Sequence, residues 1–133
     1  MPSVASIAPT FFVQDVRRAA EWYQRVLGFR LDFLFEKPGQ PASYCGLQLG
    51  SATLHLAHGG GGGSNVVYKG ACYLRLESGV EEYVRQIEAA GHPLTARLKD
   101  HGYGMREATV RDLDGNDIYV GQPLDELPAA GTR

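Results

Sequence analysis

The chain has 133 residues and a formal net charge of -2, from 13 Lys and Arg against 15 Asp and Glu. The charges are interspersed, so no basic footprint for nucleic acid or an anionic membrane surface is present. No apolar run approaches the roughly 18 residues of a membrane span, and the start lacks a basic stretch followed by a long apolar one; a single cytoplasmic domain is expected.

In chain order, residues 6–13 (SIAPTFFV) read as a strand. Asp15 is then a fair N-cap for a helix whose Ala19, Trp22, Tyr23, Val26 and Leu27 fall on one apolar face, with Gly28 as its stop. Strand-like stretches follow at 29–36, 43–49 and 52–57. Five glycines, Gly59 to Gly63, open a linker expected over 59–65. A phosphate loop would open directly into a helix with Lys and a hydroxyl residue following. Here the run leads towards another strand, at 71–76. A second helix is expected from Val80 to Ala90, with Val80, Tyr83, Val84 and Ile87 inward and Gly91 ending it. Strands at 93–98, 106–112 and 116–121 complete the chain, with Asp112, Asp114, Gly115 and Asn116 in a tight turn. A flexible tail is expected over 123–133. Cys45 and Cys72 are too few for a disulfide framework and lack metal-ligand spacing, so both read as buried thiols.

The order strand, helix, three strands thus occurs twice. Gly28 and Gly91 stand 63 residues apart, and 52–57 lies 64 residues before 116–121. Two units are expected, at about 5–58 and 66–122. Each has a marginal core alone, so two copies should lie side by side or pair with a second chain.

The stretch Leu54-His55-Leu56-Ala57-His58 suggests half of a metal site. Strand alternation argues otherwise, because residues three apart point to opposite faces, roughly 10 Å apart along the chain. Leu54 and Leu56 suit the face under the helix, which turns His55 to the other face; His58 reads as a solvated loop residue. By the same parity Tyr44, Gly46 and Gln48 face away from the first helix. Tyr73, Arg75, Glu107, Thr109, Arg111 and Tyr119 face away from the second. A face rich in Tyr, His, Gln, Arg and Glu has the composition of an amphipathic pocket; a plain water-exposed face is the alternative.

The repeated unit, FFVQDVRRAAEWYQRVLGF near the start and YGMREATVRDLDGNDIYVGQP near the end, resembles the vicinal-oxygen-chelate superfamily, which includes glyoxalase I, extradiol dioxygenases and bleomycin-resistance proteins. The ending is most similar to the bleomycin-resistance branch. The resemblance implies an α+β fold of two βαβββ units whose curled mixed sheets surround a cleft, with helices on the outer face. It also implies a homodimer, with units exchanged between chains in some members. Metal-binding members take ligands from the first and last strand of each unit, positions that fall here on Ala8, His55, Ala71 and Tyr119. That set lacks the three His, Glu or Asp donors a divalent ion needs, so neither metal nor other cofactor is expected.

The expected ligand-binding residues are Phe33, Tyr44, Gln48, His55, Tyr73, Arg75, Tyr103, Met105, Glu107 and Tyr119. Tyr103 matches the place of a ligand-stacking aromatic in the resembled branch, and Phe33 matches a cleft-lining aromatic. From the residues alone, Phe33 belongs equally to an apolar stripe of Phe29, Leu31, Phe33 and Phe35. Glu107 either pairs with Arg75 or Arg111 or presents its charge to a cationic ligand. Met105 is a soft gap-filler, and Tyr44, Gln48, Tyr73 and Tyr119 supply hydrogen bonds and amphipathic rings. The expected function is metal-independent sequestration of an aromatic or amphipathic small molecule. The alternative is a lyase, isomerase or dioxygenase in which His55 or Glu107 acts as general base.

Overall fold

The computed structural model describes residues 1–59 and 69–127. The expected linker from residue 60 onward and the tail from residue 128 lie outside the described residues. The chain divides into two compact units, each α+β, with one helix and one four-stranded mixed sheet. No described helix is long and apolar enough to cross a membrane.

In the first unit, β1 (Thr10–Val13) leads into α1 (Val16–Leu27), followed by β2 (Arg30–Phe35), β3 (Tyr44–Leu49) and β4 (Ala52–His58). The sheet order is β1-β4-β3-β2, with β1 parallel to β4 and the other pairs antiparallel. The intervening helix and strands provide the long crossover that parallel partners require. Asp15 caps α1 by accepting the Arg18 N–H at 3.0 Å, and Gly28 ends it with a φ of 76°. Trp22, Tyr23 and Leu27 are fully buried, as are Leu47 and Leu56 of the sheet. Each such side chain contributes about 1.5–3 kcal/mol of burial.

Two expectations change in this unit, and one of two open readings is settled. The first strand starts at Thr10 rather than residue 6; Pro9 has no N–H to give the ladder, and only its carbonyl takes part, accepting from His55 N at 2.9 Å. His58 is the last residue of β4 rather than a loop residue, and its Nδ1 donates to the Gln14 carbonyl at 2.9 Å. The stripe in β2 is broken. Leu31 pairs with Leu47 but Phe33 pairs with Gly46, two steps on β2 against one on β3. This bulge at Asp32 takes Phe33 and Phe35 off the helix side that Leu31 shares with Leu47.

In the second unit, β5 (Ala71–Arg75) precedes α2 (Val80–Ala89), β6 (Ala96–Asp100), β7 (Met105–Arg111), β8 (Asp117–Pro123) and a 3-10 turn (Leu124–Glu126). The order β5-β8-β7-β6 repeats the first unit, again with its first and last strands parallel. Val80, Val84 and Ile87 of α2 are buried, while Tyr83 is only partly so. α2 has no side-chain cap of its own. Instead buried Gln122 accepts the Val80 N–H at 3.2 Å and donates to the Glu126 carbonyl at 3.3 Å. Arg106 grips both Asp100 oxygens, at 2.6 and 3.1 Å, and also donates to Glu81, so one buried guanidinium joins β6, β7 and α2.

Residues 112–116, between β7 and β8, group with the first unit. They form the expected tight turn, with Gly115 at a φ of 91°. Asp112 is its centre. Its carboxylate accepts from the Tyr23 hydroxyl at 2.7 Å, from Asp114 N at 2.9 Å, from Asn116 N at 2.8 Å and from Asn116 Nδ2 at 3.0 Å. Asn116 accepts Gly70 N at 2.7 Å, and Asp114 accepts Gln14 N at 2.9 Å.

Two outcomes follow from these carboxylates. Asp112→Ala removes the acceptor that serves four donors, two of them on the fully buried Asn116. It is expected to lower stability by about 3 kcal/mol, against about 1 kcal/mol for Tyr23→Phe, both measured by urea unfolding. Hydrogen bonds from Arg106, reinforced by its charge, hold the Asp100 carboxyl below its ordinary 3.8. An acid whose pKa falls on folding binds fewer protons folded than unfolded, so its contribution is present above the unfolded value and disappears as pH falls below about 4. Asp100→Asn should flatten the acid side of the stability profile; an unchanged slope would refute the assignment.

Candidate functional site

The face of the first sheet away from α1 is organised around His55. The parallel register places Thr10 beside it on β1, and the antiparallel register places Gly46 beside it on β3. Tyr44 Oη lies 2.9 Å from His55 Nδ1 and 3.4 Å from Thr10 Oγ1. Phe33 is stacked on Tyr44, with centroids 6.2 Å apart and planes at 12°, and meets His55 edge-on at 5.5 Å. This arrangement depends on Gly46. A Cβ there would sit 2.2 Å from the Phe33 ring, so the absent side chain is the space the ring occupies. Phe33 remains 43% exposed. With Nδ1 engaged by Tyr44, Nε2 is the imidazole nitrogen left to meet a ligand.

The equivalent face of the second sheet is built on Glu107. Tyr73 lies beside Tyr119 in the parallel register, their rings stacked at 6.3 Å and 10°. Gly121 leaves room for the Tyr73 ring, whose hydroxyl would be 2.0 Å from a Cβ at that position. Glu107 is buried and accepts the Tyr103 hydroxyl at 2.7 Å. Burial, then a hydrogen bond to Glu107 and its charge, push the Tyr73 hydroxyl well above its ordinary 10, although Tyr73 is 43% exposed as a whole. The Tyr103 hydroxyl is raised as well, chiefly by its bond to Glu107. His101 stacks on Tyr103 at 4.9 Å, and its Nε2 lies 3.9 Å from Glu107.

The expected residues therefore gather in two sets, one on each sheet. Phe33, Tyr44 and His55 are in mutual contact in the first; Tyr73, Tyr103, Glu107 and Tyr119 are linked in the second. Others are engaged elsewhere. Gln48 donates to the Gly50 carbonyl at 3.2 Å, Arg75 pairs with Glu126 at 2.8 Å, and half-buried Met105 opens β7 opposite Pro123. Arg111 pairs with Asp117 at 2.8 Å. Of the two readings left open for Glu107, an ion pair with Arg75 or Arg111 is not formed, since a nearer carboxylate takes each guanidinium. Thr10 and His101 escaped the sequence reading. Thr10 emerges only once the strand start is fixed by Pro9, and His101 only once the β6–β7 turn folds its ring onto Tyr103.

The ligand positions also shift by two residues on each first strand. Thr10 rather than Ala8 neighbours His55, and Tyr73 rather than Ala71 neighbours Tyr119; Ala71 pairs with Asp117. The shift keeps the face but still supplies no second imidazole and no carboxylate. One imidazole and a hydroxyl in one unit, and two phenols in the other, do not suit a divalent ion. Among the described residues no group of three His, Cys, Asp or Glu side chains is gathered that could hold a metal.

Comparison with known proteins places this geometry in a family. A sequence model described as the Glyoxalase/Bleomycin resistance protein/Dioxygenase superfamily matches residues 4–120. Solved structures with the same fold include TioX from Micromonospora sp. ML1, at 23% identity and a TM-score of 0.76, covering 91% of this chain and 100% of that one. A glyoxalase-related enzyme from Clostridium phytofermentans has 16% identity and a TM-score of 0.76, over 92% and 97% of the two chains. Lactoylglutathione lyase from Agrobacterium tumefaciens has 19% identity and a TM-score of 0.70, over 92% and 96%. No curated protein sequence matches the chain. The family match spans most of the sequence and both βαβββ units: the chain belongs to the Glyoxalase/Bleomycin resistance protein/Dioxygenase superfamily.

Proposed function

We propose that the protein binds and sequesters an aromatic or amphipathic small molecule without a metal, in the manner of bleomycin-resistance proteins, and that it acts in the cytoplasm as a homodimer. The observation that carries this reading is the Phe33, Tyr44 and His55 cluster. The half-exposed Phe33 ring lies over a glycine, and the polar atoms of Tyr44 and His55 are fixed by one another rather than by a buried charge. Such a surface gains affinity from ring burial, and an oriented Nε2 sets direction. The donor set beside it is wrong for a divalent ion, which separates this reading from the superfamily's metal chemistry.

A second reading rests on one specific contact. Tyr44 fixes the His55 ring through Nδ1, which is also how a general base is oriented. On that reading the protein is a lyase, isomerase or dioxygenase acting on a small oxygenated substrate, in keeping with neighbours named as a glyoxalase-related enzyme and a lactoylglutathione lyase.

Calorimetric titration against a panel of aromatic and glycopeptide antibiotics is expected to show saturable binding at micromolar protein, unchanged by a chelator. Phe33→Ala should weaken it by about 2- to 10-fold, the range of one aromatic contact. Absence of saturable binding across the panel would sink the proposal, and stoichiometric metal in protein purified without chelator would overturn its metal-free part.

A further inference from the structure

The second sheet holds a carboxylate whose charge its own neighbours leave uncompensated. Glu107 is 6% exposed, and a buried carboxylate is costly unless a cation or several donors meet it. The nearby guanidiniums are committed elsewhere: Arg75 to Glu126, Arg111 to Asp117, and Arg106, adjacent in sequence, to Asp100 and Glu81. Lys99 stands opposite Glu107 in the β6–β7 register, yet it is exposed and no ion pair joins the two. Among the described residues the only basic group within 4.0 Å is the His101 imidazole, at 3.9 Å.

Glu107 instead meets phenols. The Tyr103 hydroxyl donates to it at 2.7 Å, the Tyr73 hydroxyl lies over Gly121 directly opposite it in the β7–β8 register, and a carboxylate has acceptor sites beyond one donor. Neutral donors lower the cost of burial without cancelling the charge. The same phenols bring ring faces, with Tyr119 stacked beside Tyr73, and an aromatic face attracts a cation through its quadrupole. A carboxylate beside aromatic rings is complementary to one chemistry in particular.

We propose that this face selects ligands carrying a protonated or quaternary amine on an aromatic body, with Glu107 as counter-ion and the tyrosine rings around the ammonium. The proposal rests on the binding reading above and adds the charge of the ligand. A neutral ligand of the same shape gains the rings alone, whereas the cation also gains a charge-assisted contact.

The test compares two probes by calorimetry near neutral pH: 2-(1-naphthyl)ethyltrimethylammonium and 2-(1-naphthyl)ethanol. Wild-type protein is expected to bind the cation about tenfold or more tightly. In Glu107→Gln the ratio of the two affinities should fall to within about threefold. Equal affinity of wild-type protein for both probes overturns the charge assignment and leaves the binding reading standing, whereas failure of both probes to bind overturns the two together. A preference kept in Glu107→Gln removes Glu107 as the counter-ion. Should that variant not fold, Tyr103→Phe keeps the ring and frees one carboxylate oxygen of a competing donor; it should tighten cation binding, and weaker binding would overturn the proposal.

Discussion

The open faces of this protein depend on one constraint, the parallel register between the first and last strand of each unit. That pairing can form only across a long connection, which the helix and the two intervening strands provide. Once set, it decides which side chains share a face: Thr10 with His55 in one unit, Tyr73 with Tyr119 in the other. The helix buries the alternate residues, Leu54 and Leu56 or Ile118 and Val120, so the polar and aromatic members have only the opposite face available. Chemistry at these faces is therefore a by-product of core packing.

The two units share this frame but differ in what it holds. In the first, a ring rests on a glycine and the polar atoms satisfy one another. In the second, a carboxylate is the hub and phenols surround it. Within β7 the sorting is especially sharp, because adjacent Arg106 and Glu107 face opposite sides. Arg106 is neutralised on the helix side by two carboxylates, while Glu107 on the open side has none of that guanidinium's charge. Strand alternation can thus separate opposite charges that are neighbours in sequence.

Much of the fold was legible because its signals are periodic. Both helices, the turn at Asp114-Gly115 and the twofold order of strands follow from apolar spacing and glycine positions. The faces of His55, Tyr44, Tyr73, Glu107 and Tyr119 came from parity alone. What escaped was whatever depends on a single irregular residue. Pro9 cuts the first strand short and moves the partner of His55 from Ala8 to Thr10. Asp32 inserts a bulge, so unbroken alternation would have kept Phe33 with Leu31 and Leu47. Non-local hydrogen bonding was also invisible. Nothing about Gln122 in sequence says that it caps α2, and nothing about Asp112 says that it receives the Tyr23 hydroxyl from 89 residues away.

Gly46 carries a consequence of a different kind. The Phe33 ring lies where a side chain at 46 would be, so the shape of this face is written in an atom the protein omits. Any other residue at that position would compete directly with the ring for the same volume. The surface therefore has a built-in either-or: an aromatic laid on the sheet from the neighbouring strand, or a side chain rising from the strand beneath it. The shape of this face could be opened or refilled by changing one residue on β3, without a change to the helix or to the buried side of the sheet.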